Sequence, residues 1–194
     1  MPSVLSHIAV PIAARIGLGP SFVTRTLLLL GLLAAVLPDA DVLLLHRGVA
    51  YGSTFGHRGA SHSILFALLI ATLFAILYVR NKWQGIGGVW AYLFLCALSH
   101  PLLDACTNAG HGAALFWPWS DSRVFFPFRP IETSPLNVHR FFGEAGLRVL
   151  RSELLWIWAP CLFLGVVVNF WSHKRHVSLR LAGRYDEEFQ KRRV

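Results

Sequence analysis

The chain reads as an all-α integral membrane protein, a bundle of about four transmembrane helices preceded by a short N-terminal helix. Two observations carry that reading. Of its 194 residues 55% are hydrophobic and only 14% charged, with a mean hydropathy of +0.52, whereas a soluble domain carries about 25% charged residues. The apolar residues also fall into five runs, separated by segments that hold Gly, Pro, His and charge. The length suits one membrane-embedded unit, residues 1–172, followed by a basic tail, residues 173–194.

The first run, 3–16, is shorter than the ~20 residues a span requires. Ser3 is a candidate cap. Pro11 has no N–H for the carbonyl of His7, which predicts a kink near His7, and Gly17-Leu18-Gly19-Pro20 ends the run. The second run, 21–37, stops at Pro38, with Arg25 near its start able to snorkel to head groups. The third begins at His62 or Ser63 and ends before Arg80-Asn81-Lys82-Trp83. The fourth covers about 85–104 and the fifth about 154–171.

The net charge of +8 arises from Lys and Arg between and after apolar runs. Topology and anionic lipid head groups account for that placement better than nucleic acid does. Arg80, Lys82 and the tail share one side of the bundle, so the positive-inside rule puts the C-terminus in the cytoplasm and the opposite face outside. The loop 107–152, with Arg123, Arg129, Arg140, Arg148 and Arg151, pulls against that assignment. Cys96, Cys106 and Cys161 have no metal-type spacing and read as small apolar residues, Cys106 as a bystander to a nearby polar cluster. No cleavable leader is evident.

The polar residues that interrupt this oily chain are of one kind. His7, Pro38-Asp39-Ala40-Asp41, His57-Arg58-Gly59-Ala60-Ser61-His62 and Ser99-His100-Pro101-Leu102-Leu103-Asp104 all sit where apolar runs begin or end. An Asp at mid-membrane costs roughly 2.5–3.5 kcal/mol uncompensated, and one cation compensates imidazoles and carboxylates together. The third and fourth runs form a hairpin, so His100 and Asp104 return to the side of His62. Separate pieces of chain thus bring ligand-type residues to one membrane face.

His100 and Asp104 stand one helical turn apart and share a face; HxxxD alone favours a hydrogen-bonded pair, and the other segments turn the reading to a metal site. Asp39 and Asp41 follow a helix-ending Pro, and one of them is explained equally well as the cap of 42–45. The turn at 57–63 offers two His, an Arg and two hydroxyls, enough to bind a metal or neutralise a phosphate, with Ser61 or Ser63 as cap. His46, His111, His139, His173 and His176 show no usable pattern. In residues 116–129, Phe and Trp alternate with Pro, Arg123 and Arg129, which suits an aromatic belt or a lipid-facing lip over the site.

As an ordered set, Ser6-His7, Pro38-Asp39-Ala40-Asp41, His57-Arg58-Gly59 with His62-Ser63, Ser99-His100 with Leu103-Asp104, and Phe116-Trp117-Pro118 resemble a bacterial family of inner-membrane, metal-dependent hydrolases with SOS-regulated members. That family is in turn similar to the all-helical zinc-dependent phospholipase C and single-strand nuclease superfamily. The resemblance implies His7, Asp39, His57, His62, His100 and Asp104 as metal ligands and Asp41 as ligand or general base. It implies zinc, with Mn or Fe as alternatives. A second downstream histidine–acid pair of the soluble relatives has no match here, so one or two ions are expected, with three as the upper count.

The expected function is hydrolysis of a phosphoester, in a lipid or lipid-linked substrate, by metal-activated water at the periplasmic face of the bacterial inner membrane. Arg58 or Arg123 would hold the phosphate. The main alternative is a non-catalytic membrane protein with a structural metal site, which chelation would unfold. A metal transporter ranks lower, because 64–78 and 89–98 offer few polar groups at mid-membrane.

Overall fold

The computed structural model describes residues 1–79, 85–135 and 138–174, with no account of the side chains of 138 and 139. Arg80, Lys82, His176 and the basic tail from 175 onward lie outside the described residues. The elements are α1 (Val4–His7), α2 (Ala9–Phe22), α3 (Arg25–Val36), a 3-10 turn (Leu37–Asp41), α4 (Val42–His46), a second 3-10 turn (Ala60–His62), α5 (Ile64–Val79), α6 (Ile86–Ala105), α7 (Val138–Phe141) and α8 (Glu144–Glu153). A π-helical turn, Leu154–Trp158, carries α8 onward, so that its helix extends from Glu144 to Lys174. No strand forms among the described residues. Two isolated bridges, Thr107 with Ile131 and Ala113 with Val124, tie the long loop.

The all-α membrane bundle is therefore as expected. Four helical stretches are long and apolar enough to cross a bilayer: Val4–Phe22, Arg25–His46, Ile86–Ala105 and Glu144–Lys174. Ile64–Val79, at 16 residues, is the short one. The sequence instead predicts the N-terminal helix as the short one. The difference lies at Gly19, whose φ of 77° bends the helix without ending it, while Pro20 is well suited to open the next turn. The kink expected near His7 is present as the α1–α2 junction at Ile8. α8 begins ten residues before the apolar run because its first turns are amphipathic, with Arg148 and Arg151 in the polar part.

Local chemistry sets the helix starts. Thr24 Oγ1 accepts from the amide of Leu27 at 3.2 Å and opens α3, and Ser63 Oγ accepts from Phe66 at 3.0 Å and opens α5. Ser3 does not cap α1. Its amide and hydroxyl both donate to the buried carboxylate of Glu153 at the end of α8.

Small residues let the helices approach. Ala67, Ala71 and Ala75 recur every fourth residue on the buried face of α5, within a core that includes Val89, Tyr92, Leu93, Cys96 and Ala97 of α6. A Cβ on Gly31 would lie 2.3 Å from the Tyr92 hydroxyl, so α3 and α6 meet there only because of the glycine. A Cβ on Gly165 would lie 2.7 Å from the carbonyl of Ala13. Such close approach is the usual basis of helix association in lipid. Ser3 meets Glu153 at one end, and Asn169 donates to the carbonyl of Ile16 at 2.8 Å toward the other. The first and last helices thus run side by side in the same direction. α3 and α6 end together, since His100 reaches the carbonyl of Ala35.

Candidate metal centre

All eight residues singled out in the sequence converge at one end of the bundle, and all are buried. Asp39, His62, His100 and Asp104 offer one ligand atom each, all within 4.8 Å of one another. His62 Nε2 lies 3.0 Å from His100 Nε2 and 3.2 Å from Asp104 Oδ2. His100 Nε2 lies 3.3 Å from Asp39 Oδ1. Zinc holds nitrogen and oxygen ligands at about 2.0–2.2 Å, so tetrahedral ligands stand roughly 3.3–3.6 Å apart. With His62 Nε2 3.7 Å from Asp39 Oδ1 and His100 Nε2 3.8 Å from Asp104 Oδ2, the observed separations bracket that spacing.

Hydrogen bonds around the cluster fix the imidazole tautomers. His100 Nδ1 donates to the carbonyl of Ala35 at 2.7 Å, which leaves Nε2 with its lone pair toward the cluster. Asp41 lies one layer out. Its carboxylate takes His57 Nδ1 at 2.7 Å, His62 Nδ1 at 3.1 Å, the Ser61 hydroxyl at 2.6 Å and the Arg58 amide at 3.2 Å. Carboxylates that hold the far nitrogen of a ligating histidine set its orientation and raise its basicity. Asp41, His57 and His62 also form a second close group of ligand-type atoms.

His7 stacks on His100, with ring centroids 3.7 Å apart and an interplanar angle of 15°. Its Nε2 lies 4.0 Å from Asp39 Oδ2 and 4.0 Å from Asp104 Oδ1. Each of these two carboxylates therefore faces His62 and His100 with one oxygen and His7 with the other. Both nitrogens of His7 and both oxygens of Asp39 are buried with no hydrogen-bond partner. Polar atoms are seldom left so in a folded interior, and their convergence fits a cation held between them.

Charge points the same way. Three buried carboxylates, Asp39, Asp41 and Asp104, stand among these histidines, and the fully buried guanidinium of Arg58 reaches one of them, Asp104. Arg58 Nε is 3.3 Å from Asp104 Oδ2, while its Nη atoms donate to Thr107 Oγ1 at 3.0 Å and to the carbonyl of His111 at 2.6 Å. Arg58 also sits at φ 62°, a left-handed conformation costly for a side-chain-bearing residue. The adjacent Gly59 has no room for a Cβ, which would fall 2.1 Å from the carbonyl of Thr54. Arg123 is likewise engaged, donating to the carbonyls of His57 at 3.0 Å and Ser53 at 2.8 Å.

Burial by itself would push the His62 imidazole down. The nearby carboxylates of Asp104, Asp39 and Asp41, which favour the charged ring, outweigh it and push the group up to about 10. In the metal-free protein, the stabilising contribution of this charged imidazole is complete below its ordinary value of 6.5 and disappears as pH rises through about 10. A metal must displace that proton. Zinc affinity, measured by chelator competition, is therefore expected to rise by up to about tenfold per pH unit between pH 6 and 8.

Some contributors were not singled out from the sequence. Thr107, one turn beyond Asp104, donates to the Asp104 carbonyl at 2.7 Å and accepts from Arg58. Ser61, expected as a cap or as a hydroxyl toward metal or phosphate, instead binds Asp41. Tyr51 sets its ring edge-on to His57 and His111, with centroids 5.2 and 4.8 Å away. His46 bonds the carbonyl of Val42 on its own exposed helix and takes no part. Cys106 packs with Ile131 and Ile157 as a partly buried apolar residue.

Fold and site together define an all-helical integral membrane protein with a buried His/Asp cluster at one end of its bundle. The chain belongs to the YdjM inner membrane protein family, whose profile matches residues 1–176. It is 42% identical over 166 residues to the inner membrane protein YbcI of Escherichia coli strain K12, a match covering 84% of this chain and 95% of the relative. No solved structure matches.

Proposed function

We propose that the chain is a metal-dependent hydrolase of a phosphoester in a lipid or lipid-linked substrate. The single observation that carries this reading is the buried set of His7, Asp39, His62, His100 and Asp104, whose converging ligand atoms include several with no protein partner. Asp39, His62, His100 and Asp104 would hold one divalent ion, zinc being the first choice for this donor set. His7, facing the remaining oxygens of Asp39 and Asp104, would help hold a second. When bound, the metal supplies Lewis-acid polarisation of a phosphoryl oxygen and lowers the pKa of a water toward about 7.

The chain's own residues divide the remaining work. Asp41, already accepting four hydrogen bonds, positions His57 and His62 and is not a free base. Arg58 holds Asp104 in place through its guanidinium, so its role is to fix a ligand and not to grip the phosphate. His57, its Nδ1 committed to Asp41, keeps Nε2 for a second partner and lines a cavity beside the cluster. The test is phosphate or head-group release from phospholipid by zinc-loaded protein, compared with Asp104→Ala. Wild-type turnover should exceed the variant by about a hundredfold to a thousandfold, a loss of the size seen when a major transition-state stabiliser is removed. Equal turnover refutes the catalytic assignment.

The site end of the bundle is assigned to the periplasm and Lys174 to the cytoplasmic end, on the positive-inside rule. A cysteine replacing the well-exposed Trp119, in a cysteine-free background, should react with an impermeant maleimide on cells with a permeabilised outer membrane. Labelling only after inner-membrane lysis reverses the orientation.

A further inference from the structure

We propose that the space between α1, α4 and α7 binds a single acyl chain, so that the substrate of the metal centre is an amphiphile whose tail enters from the bilayer. This rests on the metal-dependent phosphoester reading above. Two cavities adjoin the cluster. The larger, about 430 Å³, is walled by Val4, Leu5, Val42, Pro135 and Phe141 and reaches Asp39. The smaller, about 280 Å³, is walled by Tyr51, His57, His111, Thr133 and Gly110. Met1 and Ser134 border both.

The two differ in chemistry. The larger is mainly apolar, with the Asp39 carboxylate and the Ser3 and Ser134 hydroxyl groups among its walls. Its rim residues Val4 and Leu5 are 46% and 56% exposed, and Leu43 on the adjoining α4 is 69% exposed. These side chains belong to helices that cross the membrane, where the solvent for an exposed Leu is hydrocarbon. The smaller cavity presents an imidazole pair, a phenol and two hydroxyls, the groups that recognise a polar head. A water-soluble phosphoester satisfies the second cavity and leaves the first empty. An acyl chain joined to a phosphate-bearing head fills both, with its phosphate beside Asp39 and His57. The combined space is of the size that small-ligand sites occupy, about 300–1,000 Å³.

The experiment compares 1-palmitoyl lysophosphatidate with glycerol 3-phosphate, which shares its head and lacks its chain. Binding to full-length, zinc-loaded protein in detergent is followed by native mass spectrometry. The lipid is expected to bind at least about tenfold more tightly, since each buried methylene adds to affinity. Leu5→Trp, which fills the cavity mouth, should remove that preference while leaving zinc content and glycerol 3-phosphate binding unchanged. Val4→Trp serves as a second variant, and retained zinc reports that each variant has folded. Equal affinity for the two probes, binding of neither, or a preference that survives both variants overturns the proposal. Failure of the metal reading shows separately, as absence of zinc in the wild type. The chain preference, repeated under chelation, still reports on the cavity.

Discussion

Asp39→Asn is expected to weaken zinc retention by more than about a hundredfold, beyond the 10–100-fold typical of changes in the groups that orient ligands. The metal-free fold is expected to stay intact. Both expectations follow from the position of Asp39. Its carboxylate faces His62, His100 and His7, yet neither oxygen accepts a hydrogen bond. Asn has the same shape, so the 3-10 turn and its packing are preserved and only the charge and ligand strength are lost. The measurement is zinc per chain by elemental analysis, with thermal melts of wild type and variant in chelator. Coincident melts with lost zinc support an ion retained for chemistry. Chelated wild type that is already unfolded supports the alternative, in which the ion chiefly joins α1, α6 and the Leu37–Asp41 turn.

Arg58→Leu is expected to destabilise the protein by about 3–5 kcal/mol, the usual consequence of removing one partner of a buried ion pair. For a chain of this length that lowers the melting temperature by roughly 6–20 °C. Three groups lose their donor at once: the Asp104 carboxylate, the Thr107 hydroxyl and the His111 carbonyl. Leu also inherits the left-handed backbone without relief. Arg58→Lys keeps the charge but presents a compact ammonium instead of a planar fork, so it should recover only part of the loss. A variant that melts with wild type would mean that Arg58 is dispensable to the fold and available to a ligand.

The helices were legible because hydrocarbon imposes both length and composition. Where that constraint weakens, so did the reading. The polar first turns of α8 follow helical periodicity at the membrane surface and not hydropathy, and the Gly19 bend continues a helix where the sequence predicts an end. The site was legible for the opposite reason, since acids and imidazoles stand out against an oily background. The i,i+4 pair His100–Asp104 came out on one face as expected. The layering of the site was not legible. Asp39 and Asp41 look equivalent in sequence, but a 3-10 turn has three residues per turn, so residues two apart point about 120° from each other. Asp39 therefore meets His100, while Asp41 turns to the 57–62 segment. Asp104 likewise gives no sign in the sequence that Arg58, 46 residues earlier, would brace it.

The paired bonds from Ser3 to Glu153 join residues 150 positions apart. Their acceptor leaves the ribosome long after α1, α3, α5 and α6 have been made. Until then the segment bearing His7 lacks this anchor, and the carboxylates it is to face have already entered the membrane. Placement of His7 over the cluster is thus completed late, whereas His62 and His100 meet Asp39, and Arg58 meets Asp104, through contacts that need no part of α8.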